Sequence, residues 1–180
     1  MAKKHESPRL RGPMTIAVDF DGTVVTHEYP KIGQDIGAWP ILRKLVECKH
    51  NLILYTMRDE GTLQSAIDVF ERHGVTLIGA NRNPLANWSR SPKVYADLYI
   101  DDCALGIPLV GRLGMPAYVD WQEVTRMLVR DRIIPYQKRC RVCGCADDDC
   151  RECQERTGEP CEWTRYGKSL CSACVGRELP

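Results

Sequence analysis

Asp19-Phe20-Asp21-Gly22-Thr23 follows directly on the apolar run Met14–Val18, setting two carboxylates two residues apart where a buried strand should end. Two acids so placed repel one another unless a cation or a shared proton relieves them. The carboxyl end of a parallel strand is also where open α/β sheets build their ligand sites. The pattern predicts metal-assisted chemistry on an anionic substrate. Later apolar runs end in reactive residues too. Thr56 follows Asn51–Tyr55, Asp101 and Asp102 follow Ala96–Ile100, and Lys93 stands just ahead of that last run. Acids, a hydroxyl and a lysine converging on one sheet edge suit phosphoryl transfer. A hard Mg²⁺ ion takes one or two carboxylates and keeps several waters, while cations and N–H groups meet the phosphoryl oxygens.

These residues need a scaffold of alternating strands and helices, and the pattern supplies one. Met14–Val18 reads as a first strand. Ala38–His50 has helical spacing (Ile41, Leu42, Leu45, Val46), with Pro40 in the first turn, where its missing N–H costs nothing. Asn51–Tyr55 is a second strand, and Glu60–His73 an amphipathic helix stopped by Gly74. Val75–Ile78 and Ala96–Ile100 read as third and fourth strands, and Ala117–Val119 as a fifth, before an Asp120-capped helix running to about Ile133. The natural architecture is α/β, a doubly wound, mainly parallel, Rossmann-like sheet.

With 180 residues the chain accommodates one such domain, over 14–134, a polar leader over 1–13 and a small module over 140–180. A net charge of +1 offers no global field for nucleic acid or membrane. No apolar run approaches the ~20 residues of a membrane-spanning helix, and the leader lacks the apolar core of a signal peptide. The expected location is cytoplasmic, with no membrane partner.

Cysteine usage is divided. Cys48 and Cys103 stand alone and read as buried small apolar residues. Cys140, Cys143, Cys145, Cys150, Cys153, Cys161, Cys171 and Cys174 crowd the tail, where such density in a reducing compartment reads as metal ligation. Cys140-x-x-Cys143 and Cys171-x-x-Cys174 form two knuckle-like pairs for a structural, tetrahedral Zn²⁺. Cys145, Cys150, Cys153 and Cys161 lie between them and are candidates for a second Zn²⁺. An iron–sulfur cluster accepts the same thiolates, but nothing else in the sequence points to electron transfer. Residues 139–180 carry seven Lys/Arg against eight Asp/Glu, a balance of −1 that argues against phosphate-backbone binding by this segment alone. The helix and linker leading into it, with Arg126, Arg130, Arg132, Lys138, Arg139 and Arg141, are more basic, which leaves a nucleic-acid or protein contact open to the module. The simpler role for zinc is to fold a tail too small for a core. The segment also resembles cysteine-rich zinc modules at the ends of some bacteriophage proteins, through Cys-Arg-Val-Cys-Gly-Cys-Ala-Asp-Asp, Cys-Glu-Trp and Leu-Cys-Ser-Ala-Cys.

Over residues 14 to about 134 the chain resembles the haloacid dehalogenase superfamily of phosphohydrolases, whose four motifs are matched in order. They are Asp19-Phe20-Asp21-Gly22-Thr23, Leu52-Ile53-Leu54-Tyr55-Thr56, Lys93, and Tyr99-Ile100-Asp101-Asp102. The resemblance implies that Asp19 is the nucleophile that forms an aspartyl-phosphate. It implies that Asp21 is the acid that protonates the leaving group and then the base that activates water. Thr56 and Lys93 would bind the phosphoryl group, and Lys93 would hold Asp19 charged. Mg²⁺ would sit on Asp19, the carbonyl of Asp21, and Asp101 or Asp102. The gap from Val24 to Ala38 is too short for the inserted cap domain that most members carry, so a capless or minimally capped enzyme is implied. Specificity then falls to loop residues such as His27, Tyr29, Asn81, Arg82, Asn83 and Trp88, with Arg58 the best candidate for a second substrate contact.

Asp-x-Asp-Gly is no EF-hand here, because Val24 and Pro30 stand where that loop needs Gly and Glu. The expected substrate is a phosphate monoester: a nucleotide, a nucleic-acid end or a small metabolite. The alternative is a zinc-module adaptor whose α/β domain only recognises a phosphorylated partner, a role that has no need for both Asp19 and Asp21.

Overall fold

The computed structural model describes residues 10–112, 114–136, 140, 145–146, 150–162 and 170–174. The greater part of the leader, the basic residues Lys138, Arg139 and Arg141, and Cys143 lie outside them. The chain divides into two compact units, Met1–Ile134 and Pro135–Pro180. No helix among the described residues is long and apolar enough to cross a membrane.

The first unit is α/β. Its strands β1 (Thr15–Val18), β2 (Asn51–Leu54), β3 (Leu77–Ala80) and β4 (Leu98–Ile100) form one sheet in the order β3-β2-β1-β4. Every pairing in it is parallel, with Thr15 opposite Asn51 and Ile16 opposite Leu98. The strands are short and apolar, as buried parallel strands are. Helix α1 (Trp39–Glu47) joins β1 to β2, and α2 (Glu60–Arg72) joins β2 to β3. Both steps run the same way along the sheet, so right-handed crossovers set both helices on one face. Side chains alternate along a strand, and Ile16, Val18, Leu52 and Leu54 meet Leu42, Leu45 and Phe70 in the core there. Ala17 and Ile53 are buried outside that cluster.

The step from β3 to β4 reverses direction past β1. It is made by an irregular loop, residues 81–97, where the sequence pattern led us to expect the polar, turn-rich stretch Asn81–Pro92 and a strand from Ala96. Asp97 ties the end of that loop to β1, its N–H donating to the Thr15 carbonyl (2.8 Å) and its carboxylate accepting from the Thr15 N–H (2.7 Å). The reversal between β1 and β4 makes their carboxyl ends the crevice at which an open sheet binds ligands.

The expected fifth strand is not part of this sheet. It is β6 (Met115–Val119), paired antiparallel with β5 (Leu109–Arg112), a strand the sequence pattern does not reveal because Gly111 interrupts its short apolar run. Helix α3 (Trp121–Arg130) starts as expected, with the Asp120 carboxylate accepting from Gln122 and Glu123 N–H at 3.0 and 3.1 Å. It stops short of Ile133. Arg132 turns into the left-handed region (φ 60°), and Ile133 N–H folds back to the Leu128 carbonyl, which brings Ile133 and Ile134 into the core. The end of the leader is tied down as well, Arg11 N–H donating to the Arg132 carbonyl at 2.8 Å.

The described residues of the second unit hold helix α4 (Arg151–Thr157), which ends on Gly158 at φ 80°, and a 3₁₀ turn, Ser172–Cys174. Among the described residues, Cys140, Cys145, Cys153, Cys171 and Cys174 form a buried cluster, with Leu170 and Ala173 against it.

Candidate active site

Asp19 lies one residue beyond β1, its N–H bonded to the Ile100 carbonyl of β4 at 2.9 Å. That bond sets Asp19 beside Asp101 and Asp102. Thr23 completes the join. Its buried hydroxyl donates to Asp19 Oδ2 (3.1 Å) and accepts from Asp102 N–H (3.0 Å), which locks the two strand ends together. The Thr23 carbonyl in turn accepts from Trp121 Nε1 at 2.6 Å. Thr23 thus has a positioning role that its place in the pentapeptide does not reveal. His27 Nε2 stands 3.0 Å from Asp102 Oδ2. Gly22 allows this approach. It sits at φ 80°, and a Cβ there would come within 2.1 Å of His27 Nε2 and 2.8 Å of Asp102 Oδ2.

Asp21 faces another way. Arg58 grips it through two bonds, Nε to Oδ2 and Nη2 to Oδ1, both 2.7 Å. The guanidinium also donates to the carbonyls of Pro30 (3.1 Å) and Lys31 (2.7 Å), and it lies 5.0 Å from the Phe20 ring centre and 5.3 Å from that of Tyr29. At 2% exposure Arg58 is committed to Asp21 and to the loop after β1. This corrects its expected role as a substrate contact: nearly all its N–H groups are used inside the fold. The loop itself closes through Thr26 N–H to the Gln34 carbonyl (3.0 Å) and Gln34 N–H to Thr26 Oγ1 (2.8 Å). No cap domain occupies this gap.

Thr56 is half-buried beyond β2. Its N–H donates to Asn81 Oδ1 (2.8 Å), and its hydroxyl accepts from Arg58 N–H (3.3 Å). Asn81 is in the left-handed region (φ 50°), which turns the chain sharply after β3 and aims its amide at Thr56. Lys93 is not brought to Asp19 in the same manner. It is exposed on the 81–97 loop, where it lines a cavity of about 660 Å³ with Asn81, Arg82, Trp88, Tyr95 and Tyr99, and it makes no ion pair among the described residues. Trp88 and Tyr95 meet edge to face in that wall, ring centres 5.6 Å apart.

The charges around Asp19 have a definite effect. Burial above all, together with the like charges of Asp101 and Asp102, raises its carboxyl to about 7, against the opposing pull of the Phe20 backbone N–H and the Thr23 hydroxyl. An acid in this state is held by a cation or by a proton. The oxygen donors present suit a hard cation. Of the acidic pair, Asp102 is engaged by His27, whereas Asp101 spends one oxygen on Cys103 N–H (2.8 Å). Cys103 is exposed, not buried as its isolation in the sequence suggested, and Asp102 and then Asp101 push its thiol above the usual range. Cys48 is half-buried.

In the second unit the cysteines assemble differently from their order in the chain. Sulfurs of Cys145, Cys153, Cys161 and Cys171 lie within 4.8 Å of one another, and so do those of Cys140, Cys171 and Cys174. The group could hold a metal ion such as zinc. Cys150 stands beside the first set, its sulfur 2.8 Å from that of Cys161 and accepting the Cys161 N–H at 2.9 Å. Three of the expected first set, Cys140, Cys171 and Cys174, come together, and Cys171 also faces Cys145, Cys153 and Cys161. Cys143 lies outside the described residues.

No protein-family model matches the chain, and no curated protein does either. Among solved structures, a conserved protein from Bacteroides thetaiotaomicron is 38% identical, with a TM-score of 0.55, over 66% of this chain and 92% of that one. The chain belongs to that protein's family.

Proposed function

We propose that the chain is a Mg²⁺-dependent phosphohydrolase of the haloacid dehalogenase type, which cleaves a phosphate monoester through an aspartyl-phosphate on Asp19. The observation that carries this reading is the condition of Asp19. It is a buried carboxyl at the carboxyl end of a central parallel strand, raised to about 7 by burial and by Asp101 and Asp102. A purely structural carboxylate gains nothing from that placement. A nucleophile that works beside a divalent cation does.

In the proposed reaction an Asp19 oxygen attacks phosphorus and the ester P–O bond breaks. The leaving alkoxide takes a proton from Asp21. Water then attacks phosphorus, gives a proton to the Asp21 carboxylate, and releases phosphate as the bond to Asp19 breaks. Both Asp21 oxygens are occupied by Arg58, so its side chain has to turn off the guanidinium to serve as acid. Asp19, Asp101 and the Asp21 carbonyl would hold Mg²⁺, which supplies positive charge at the phosphoryl oxygens when bound. Asp102, bonded to His27, supports the arrangement from behind. Thr56 and backbone N–H groups would bind the phosphoryl oxygens, with Lys93 reaching in from the cavity rim. Zinc in the cysteine module would be structural. With no cap domain the site is open, and the aromatic cavity beside Asn81 suits the leaving group of a nucleotide, a nucleic-acid end or another phosphorylated metabolite.

The test is phosphate release from an aryl phosphate and a panel of nucleotides, end-phosphorylated oligonucleotides and sugar phosphates, with and without Mg²⁺. Release that needs Mg²⁺ and is lost in Asp19→Asn is expected. Binding without turnover across the panel would favour an adaptor that merely recognises phosphate.

A further inference from the structure

We propose that the C-terminal unit holds two zinc ions in a single thiolate cluster, with the Cys171 sulfur bridging them. Four sulfurs on one zinc at Zn–S ≈ 2.3 Å form a tetrahedron with edges of about 3.8 Å. The first set approaches this figure: Cys145 lies 3.3 Å from Cys153, 3.5 Å from Cys161 and 3.8 Å from Cys171, and Cys153 lies 3.7 Å from Cys171. Cys150 stands outside both mutually close sets, its sulfur 2.8 Å from that of Cys161. The second set, Cys140, Cys171 and Cys174, shares only Cys171 with the first. Cys171 is fully buried between the two and receives no solvent.

Two further features fit a shared, anionic cluster. Among the described residues, the six thiolates of the two sets leave an excess of negative charge around two Zn²⁺ ions. Arg156 answers it from α4, one guanidinium nitrogen reaching Cys153 of the first set (3.6 Å), Cys174 of the second (3.4 Å) and the Ala173 carbonyl (3.2 Å). Arg156 thus places one cation against a sulfur of each set. The Cys171 N–H also points to Cys140 Sγ at 3.5 Å, the kind of N–H to sulfur bond that supports a metal thiolate. The ions would hold these buried thiolates together, so metal binding and folding of the unit are coupled.

The experiment uses the full chain, purified without chelator and then exchanged with the spin-active cadmium isotope. Elemental analysis before exchange should give two zinc ions per chain. Cadmium NMR should show two thiolate-ligated resonances, with the β-protons of Cys171 coupled to both and those of every other cysteine coupled to no more than one. Cys171→Ser should abolish the doubly coupled spin system and reduce the metal content, while Cys150→Ser should keep two ions. A single ion per chain, iron with sulfide in place of zinc, or Cys171 coupled to one cadmium only would overturn the proposal.

Discussion

Replacing Asp19 by Asn should stabilise the metal-free active site, and by more at alkaline than at acidic pH. The folded-state carboxyl is raised from 3.8 to about 7. Between those values the folded chain keeps a proton that the unfolded chain has released. The contribution of Asp19 to stability is therefore fullest below the unfolded value. It declines as pH rises and levels off above the folded value, where both states are ionised. The whole shift corresponds to about 4 kcal/mol, and the part falling between pH 5.5 and pH 8 to about 2 kcal/mol. Urea denaturation of wild type and Asp19→Asn at those two pH values, followed by tryptophan fluorescence, measures it. Mg²⁺ is left out and no chelator is added, so the cysteine module keeps its metal. The difference between the two proteins cancels the titrating groups that do not interact with Asp19. The stability gained by Asp19→Asn should grow by about 2 kcal/mol from the lower to the higher pH. A gap that stays constant within about 0.5 kcal/mol would refute the electrostatic reading of Asp19. Mg²⁺ at pH 8 should then stabilise wild type and leave Asp19→Asn unmoved, since a ligand stabilises only the state that binds it.

Other substitutions test the supports of the site. Arg58→Met keeps the bulk but leaves Asp21 and two carbonyls without their donors, and should cost about 3 kcal/mol in chemical denaturation; a loss under about 1 kcal/mol would mean that the grip on Asp21 is slack. Gly22→Ala forces a Cβ into His27 at a positive φ and should lower thermal stability by about 1–3 kcal/mol while displacing His27 from Asp102; an unchanged His27 NMR signal would contradict that contact. Trp121→Phe removes the N–H that bonds the Thr23 carbonyl and should cost about 1–2 kcal/mol, read from the denaturant midpoint.

Much of the chemistry was legible because it follows local rules. A buried parallel strand reads as an apolar run, and its reactive residue follows at once, so Asp19, Thr56 and Asp101 could be placed on one edge from the chain alone. What depended on distant partners could not. Arg58 reads as a substrate contact, because Pro30, Lys31 and Asp21, its partners in the fold, are more than twenty residues away. Thr23 gains its role only once β4 lies beside β1. Strand β5 escaped notice because a glycine breaks its pattern, and α3 was drawn too long because nothing local announces the left-handed Arg132. The cysteine tail shows the same limit. Spacing pairs Cys171 with Cys174, yet the fold also carries Cys171 to Cys145, Cys153 and Cys161.

The claim that Asp19 is a nucleophile working with Mg²⁺ can be tested without knowing the substrate. Trifluoroberyllate coordinates an aspartate carboxylate as a phosphoryl group does. Fluorine NMR of the protein with beryllium, fluoride and Mg²⁺ should show bound resonances, shifted from free fluoroberyllate, that vanish when Mg²⁺ is withheld and are absent in Asp19→Asn. Wild type with no bound resonance in the presence of Mg²⁺, or Asp19→Asn with the same resonances as wild type, would contradict the account.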